Sequence, residues 1–272
     1  MKSRFIILID FSRYTKNLIR YAYDWSKQAN AELLLVHHTT VLTPALTDQA
    51  TREQITGNTN NEALTRLKAL VKELIPPSVE VSYFVSERPL QFTLNQLISG
   101  ARKNLIFAGL KGTGLLKKLF LGSTVVHIIE EVNNIIVAVP KEISSFSQEK
   151  IFIGVTEKHP INTSELDRFL EFIGKKKTCL TFFYLALPNE ETQEIEKQLK
   201  DLSYLYADRF DTKIKIYEQD NPFKNIKKVI NKKEDELLIV QKGSRFLSDQ
   251  FFRRFLINDL VYLGQTPLIV LP

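Results

Sequence analysis

The sequence predicts an α/β protein made of two consecutive domains with one shared order of elements, and three observations carry that expectation. Short, nearly all-apolar strand candidates alternate with longer amphipathic segments, the pattern of a parallel sheet covered on both faces. The order runs twice along 272 residues, a length with room for about two domains of ordinary size. The closing strands also match, IIVAVP at 135–140 and LIVLP at 268–272.

In the first half, Phe5–Ile9 reads as a buried strand. Thr15 reads as the N-cap of a helix whose Leu18, Ile19, Ala22, Trp25 and Ala29 share one face. Leu33–His37 is the second strand. The stretch from Thr39 to Asn61 is polar and weakly periodic, so it is expected as a long loop. Helical spacing resumes at Leu64, Leu67, Leu70, Val71 and Leu74, and Pro76-Pro77 stops it. Val79–Val85 alternates as a strand, and Pro89 opens a helix carrying Leu94, Leu97 and Ile98. Asn104–Ala108 is a strand, Ser123–Val132 a helix and Ile135–Val139 a strand.

The second half repeats this order. Strand Ile151–Val155 precedes a helix with Leu166, Phe169, Leu170 and Ile173. Strand Cys179–Leu187 precedes a long helix through Ile195, Leu199, Leu202 and Leu205. Lys213–Tyr217 alternates as a strand, followed by a helix with Phe223, Ile226, Val229 and Ile230. Glu236–Val240 is a strand, Gln250–Tyr262 a helix and Leu268–Leu271 the last strand. Between the halves, Lys141 to Glu149 is polar and serine-containing and reads as a linker. The expected domains are 1–141 and 149–272.

Composition narrows the function classes. Apolar residues make up 44% and charged residues 25%, the balance of a globular protein with a core. One cysteine, Cys179, excludes an intrachain disulfide framework and suits a reducing compartment. The apolar run Phe5–Ile9 is too short for a signal-peptide core, and no stretch reaches the roughly 18 apolar residues of a spanning helix. The expectation is a soluble, cytoplasmic protein without a membrane partner. The net charge of +6 is spread among interleaved acids, and the Lys175–Lys177 cluster falls at an expected helix end, where cations meet the helix dipole. Nucleic acid is not an expected partner.

Of the ten glycines, four lie between positions 109 and 122, at Gly109, Gly112, Gly114 and Gly122. The segment leaves the C-terminal end of a strand and enters a helix. Ligands of open α/β sheets bind at such strand ends. Glycine lets backbone N–H groups approach a phosphate, and Gly122-Ser123-Thr124 adds N–H groups at a helix start plus two hydroxyls. Lys111, Lys117 and Lys118 supply positive charge. A loop that only turns the chain would explain two or three of these glycines, but not their concentration.

The spacing Gly-x2-Gly-x9-Gly-Ser, met by Gly109, Gly112, Gly122 and Ser123, resembles the ATP-binding signature of the universal stress protein family. Asp10-Phe11-Ser12 after the first strand is similar to that family's opening, where the acid lies near the nucleotide. Val36-His37-His38 resembles the family's Leu-His-Val, whose backbone meets adenine; here His38 replaces the valine. The resemblance implies two flavodoxin-like (adenine nucleotide alpha hydrolase-like) domains, each a five-stranded parallel sheet ordered 3-2-1-4-5 with flanking helices. It implies ATP, with or without Mg, held by Asp10, Phe11, Ser12, Val36, His38, Gly109, Lys111, Gly112, Gly122, Ser123 and Thr124. It also implies pairing through the last strands, as a homodimer or as a pseudo-dimer of the two halves within one chain.

The second half departs from this pattern. Thr156 and Glu157 stand for Asp10 and Phe11, Gln241-Lys-Gly243 lacks the second glycine, and Ile257 and Asp259 replace Gly122 and Thr124. A β-branched side chain and a negative charge there oppose phosphate, so no nucleotide is expected in this half. Elsewhere the residues favour bland readings. His37 and His38 point to opposite faces of one strand, His127 and His159 have no metal-ligand spacing with them, and Cys179 reads as a packing residue. Phe251, Phe252 and Phe255 have the spacing of a core-facing helix. No Gly-x-Ser-x-Gly elbow and no Gly-x4-Gly-Lys-Ser/Thr loop occurs. The function expected is a nucleotide-binding regulatory or stress-response protein that acts on an unidentified protein partner. A slow ATP hydrolase and a ligand-free interaction scaffold are the alternatives.

Overall fold

The computed structural model describes residues 2–42, 44–98, 100, 102–110, 128–156, 160–174, 178–218, 236–242 and 266–272. In the first half these form strand β1 (Ser3–Ile9), helix α1 (Thr15–Ala29), β2 (Ala31–His38), α2 (Gln49–Leu74), β3 (Val81–Ser86), α3 (Leu90–Ile98), β4 (Lys103–Leu110) and β5 (Ile136–Pro140). The second half contributes β6 (Lys150–Gly154), α4 (Thr163–Leu170), β7 (Cys179–Ala186), α5 (Gln193–Tyr206), β8 (Asp211–Glu218), β9 (Glu236–Gln241) and β10 (Leu268–Leu271). The helices expected over Phe223–Ile230 and Gln250–Tyr262, the start of the one at Ser123, and Lys175–Lys177 lie outside the described residues.

The ten strands among the described residues join one sheet in the order β3-β2-β1-β4-β5-β10-β9-β6-β7-β8. Each half therefore has the 3-2-1-4-5 order of a doubly wound fold. The neighbouring pairs are parallel, except that β5 and β10 run antiparallel, with Ala138 opposite Leu268 and Ile136 opposite Val270. The halves thus meet through their last strands within the chain, related by a pseudo-twofold axis. The central strands are buried on both faces, as their unbroken apolar runs require.

The segment between the halves is more than a linker. Ile143, Phe146 and Gln148 are buried. The Phe146 ring stacks on Trp25 at 4.1 Å with planes 6° apart, and its N–H donates to Asp24 Oδ2 at 3.0 Å. Gln148 holds Gly174, accepting from its N–H and donating to its carbonyl, both at 2.9 Å. Trp25 Nε1 in turn donates to the Phe172 carbonyl at 2.9 Å. One apolar core therefore runs beneath both halves on this face of the sheet. The apolar residues among the serines, Ile143 and Phe146, are what turn a polar stretch into a packed strap.

Two further expectations are corrected. The helix expected from Leu64 begins at Gln49, where Asp48 caps it by accepting from the Thr51 N–H at 2.9 Å and the Thr51 hydroxyl at 2.7 Å. Residues 49–62 of α2 bury no side chain, and only Ala63, Leu67 and Val71 reach the core, so this half of the helix has no apolar stripe. Its start rests on the cap instead. For α1, the residue at the cap position is Tyr14 rather than Thr15, because the Thr15 hydroxyl is turned to Asp10.

Candidate functional site

A pocket of about 640 Å³ opens at the C-terminal ends of β1, β2 and β4, where the strand order reverses. This size lies within the usual range for small-molecule sites, and the switch point is where doubly wound sheets leave room. Leu8, Val36, Leu90, Ala108, Leu110 and Ile128 give it apolar walls. Asp10, Ser12, Tyr14, Thr15, His37, His38 and Gln91 supply its polar groups.

Asp10 is the only carboxylate among the described lining residues. Its Oδ1 accepts from the Ser12 N–H at 2.9 Å and from the Thr15 hydroxyl at 3.1 Å, which fixes the side chain against the start of α1. Tyr14 stands nearby with two cations over its ring, the Arg13 guanidinium at 4.7 Å and the Lys141 ammonium at 5.6 Å from the centroid. The rim therefore combines one fixed acceptor with positive charge.

Gly109 lines the pocket as β4 ends. A Cβ there would meet only Leu18 Cδ2, at an ordinary 3.6 Å. The backbone does not demand glycine at this point; the absence of a side chain leaves the crevice open.

Phe11, expected in the site, does not line the pocket. Its ring turns away onto His37, 4.5 Å between centroids, and the Arg66 guanidinium from α2 covers it at 4.2 Å. Its φ of 54° lies in the left-handed region, unusual for a bulky side chain and unlike the asparagines that hold the chain's other described positive-φ positions. Such a residue costs roughly 1–3 kcal/mol. The ring contact and the cation–π contact each return about 0.5–1.5 kcal/mol, enough to offset most of it.

Of the remaining expected residues, Ser12, Val36 and His38 do line the pocket. Lys111, Gly112, Gly122, Ser123 and Thr124 lie outside the described residues. His37, Tyr14, Thr15 and the Pro89–Gln91 turn were not expected there. His37 Nδ1 is 2.7 Å from the Ile9 carbonyl, so the ring is tied to β1 and stays beside the crevice. Pro89 at a helix start was the available signal for the turn, since a βα loop delivers it to the strand ends. Thr39 and Asn60 tie α2 to this end of the sheet: the Thr39 hydroxyl donates to Asn60 Oδ1 at 2.6 Å, and Asn60 Nδ2 donates to Glu87 at 3.1 Å. Backbone hydrogen bonding and the Asn60 amide hold the Glu87 carboxyl below its ordinary value.

The strand registers allow the second half to be compared position by position. Leu8 pairs with Val36 in the first half as Gly154 pairs with Phe183 in the second. Gly109 pairs with Val139 as Gln241 pairs with Leu271. At these positions the second half exchanges Leu8 and Val36 for Gly154 and Phe183, and Gly109 for Gln241. The Phe183 ring lies 3.5 Å from where a Cβ on Gly154 would sit, and is buried against Phe152. The Gln241 side chain bridges the loop before α4 and the end of β10: its Oε1 accepts from the Asn162 N–H at 3.0 Å, and its Nε2 donates to the Pro272 carbonyl.

The Universal stress protein family model matches residues 1–140. The chain belongs to the universal stress protein family. That membership makes it a stress-response protein, and the family's α/β flavodoxin-like fold agrees with the sheet described above. Among solved structures, a universal stress protein from Archaeoglobus fulgidus DSM 4304 is similar over 100% of this chain and 99% of that one, with a TM-score of 0.66 at 12% identity. A functionally unknown protein from Pseudomonas aeruginosa PAO1 is similar over 99% of this chain and 92% of that one, with a TM-score of 0.57 at 14% identity. At these identities the likeness is one of fold. No curated protein matches the chain in sequence. No helix among the described residues is long and apolar enough to cross a membrane.

Proposed function

We propose that this member of the family binds one adenine nucleotide, ATP, in the crevice of its first half and acts as a nucleotide-dependent regulator. The observation that carries the reading is the contrast between register-equivalent positions: Gly109 lines the pocket without a side chain, while Gln241 carries an amide that bridges Asn162 and Pro272. The residues present fit the ligand. Apolar walls from Leu8, Val36 and Leu90 suit a base, Asp10 is an acceptor for a ribose hydroxyl or a metal-bound water, and Arg13 and Lys141 favour a polyphosphate. The sequence adds Lys111, Gly112, Gly122, Ser123 and Thr124 as the phosphate loop.

Binding rather than turnover is the activity this set supports. Hydrolysis needs a base positioned on the attacking water; Asp10 Oδ1 is engaged by Ser12 and Thr15 and His37 Nδ1 by the Ile9 carbonyl, so His38 is the residue whose replacement tests for turnover. The nucleotide would order the surface read by a protein partner, with the protein working in the cytoplasm. The test is to denature the purified protein, analyse the released nucleotide, and titrate it with ATP beside Gly122→Val. One ATP per chain, lost in the variant, supports the reading; no adenine nucleotide with either protein replaces it with a ligand-free scaffold.

A further inference from the structure

The strained residue beside the site points to a role for a side chain that never reaches the pocket. Phe11 sits between Asp10 and Ser12, and its left-handed backbone is what brings the Ser12 N–H back onto Asp10 Oδ1. A phenylalanine has no intrinsic reason to stay at a φ of 54°. Something outside the turn must hold it, and two groups do. His37, tied to the Ile9 carbonyl, supports one side of the ring, and Arg66 covers it from helix α2.

We propose that Arg66 is a positioning residue for the ligand site: by clamping the Phe11 ring against His37, it holds the Asp10–Ser12 turn in its binding geometry. Arg66 is exposed and does not line the pocket, so its effect passes through Phe11. The clamp also couples α2 to the site, because any displacement of this helix withdraws the guanidinium. The effect on ATP rests on the reading of the crevice as an adenine nucleotide site; the effect on the turn does not.

Two readouts on the full chain test the proposal. In the absence of nucleotide, hydrogen exchange of the Ser12 amide reports whether its bond to Asp10 persists. Arg66→Ala is expected to speed that exchange about threefold to tenfold, and Phe11→Ala at least as much, because alanine keeps the strain and loses the ring. Phe11→Gly is expected to exchange more slowly than Phe11→Ala, since glycine adopts positive φ freely. ATP titration is then expected to show affinity lowered about threefold to tenfold by Arg66→Ala in the wild-type background and unchanged by it in the Phe11→Ala background. An unchanged Ser12 amide in Arg66→Ala overturns the clamp. Equal losses of affinity in both backgrounds overturn it too, and assign Arg66 a direct contact with the nucleotide. If the wild-type chain binds no ATP, the function proposed above fails, while the Ser12 exchange still decides the clamp. Should Phe11→Ala not fold, Ser12 exchange in the surface variant Arg66→Ala decides the clamp by itself.

Discussion

Gln241 stands in the second half where Gly109 stands in the first, two residues beyond the matched ladder pairs Ile153–Ile239 and Ile7–Phe107. The substitution changes a gap into a bridge. With no side chain at Gly109, the strand ends part around a pocket; with Gln241, an amide ties the loop before α4 to the chain's last residue.

The fixed orientation of Asp10 separates its shape from its charge. Asp10→Asn keeps an oxygen that can accept from Ser12 and Thr15, so thermal stability is expected to change little. ATP affinity is expected to fall about tenfold, the scale of a lost charge-assisted hydrogen bond. Calorimetric titration beside a melting curve checks both; unchanged affinity would remove Asp10 from the site.

The core beneath both halves is expected to unfold as one unit. Trp25 is the only tryptophan, and it contacts the strap at Phe146 and the second half at Phe172 and Phe169. Its fluorescence and the far-ultraviolet circular dichroism should therefore report coincident urea transitions. Phe146→Ala should lower the unfolding free energy by about 3–5 kcal/mol, as for other large buried aromatics. Two separate transitions in the wild-type chain would show that the halves are independent.

The first turn of α2 is capped by one carboxylate, Asp48. Hydrogen bonds from the Thr51 hydroxyl and N–H hold Asp48 below its ordinary value of 3.8. A group whose pKa is depressed on folding stabilises fully above its unfolded value and loses that contribution as pH falls through the folded one. Amide protection at residues 51–55 should therefore be constant from neutral pH down to about 4 and decline below it. Asp48→Ala should lower the protection about fivefold at neutral pH, the scale of a lost cap, and remove its pH dependence. Unchanged protection in the variant would assign the helix start to another cause.

The order of the strands was legible because each central strand is buried on both faces and so shows as an unbroken apolar run. The first half of α2 was not, since its residues 49–62 bury nothing and leave no periodicity to read. Only the Asp48-x-x-Thr51 spacing marked it. The strap at 141–149 was hidden by its serines, although the Phe146 ring stacks on Trp25 with planes 6° apart. Asp10, Ser12, Val36, His38 and Gly109 line the pocket, and it was the family resemblance that pointed to them. Phe11 does not line it, because the direction of a side chain at a left-handed residue is set by partners distant in sequence, here His37 and Arg66. The inward placement of Tyr14 and the Pro89–Gln91 turn likewise follows from strand order rather than from local pattern.

Whether the chain holds one nucleotide site, and holds it in the first half, is decided by titrating ATP into the wild-type protein, Gly109→Gln and Gln241→Ala. One site is expected in the wild type, none in Gly109→Gln, and one site of unchanged affinity in Gln241→Ala, with all three folded. Binding that persists in Gly109→Gln, or that is lost in Gln241→Ala, would place the nucleotide elsewhere and overturn the assignment of the open crevice.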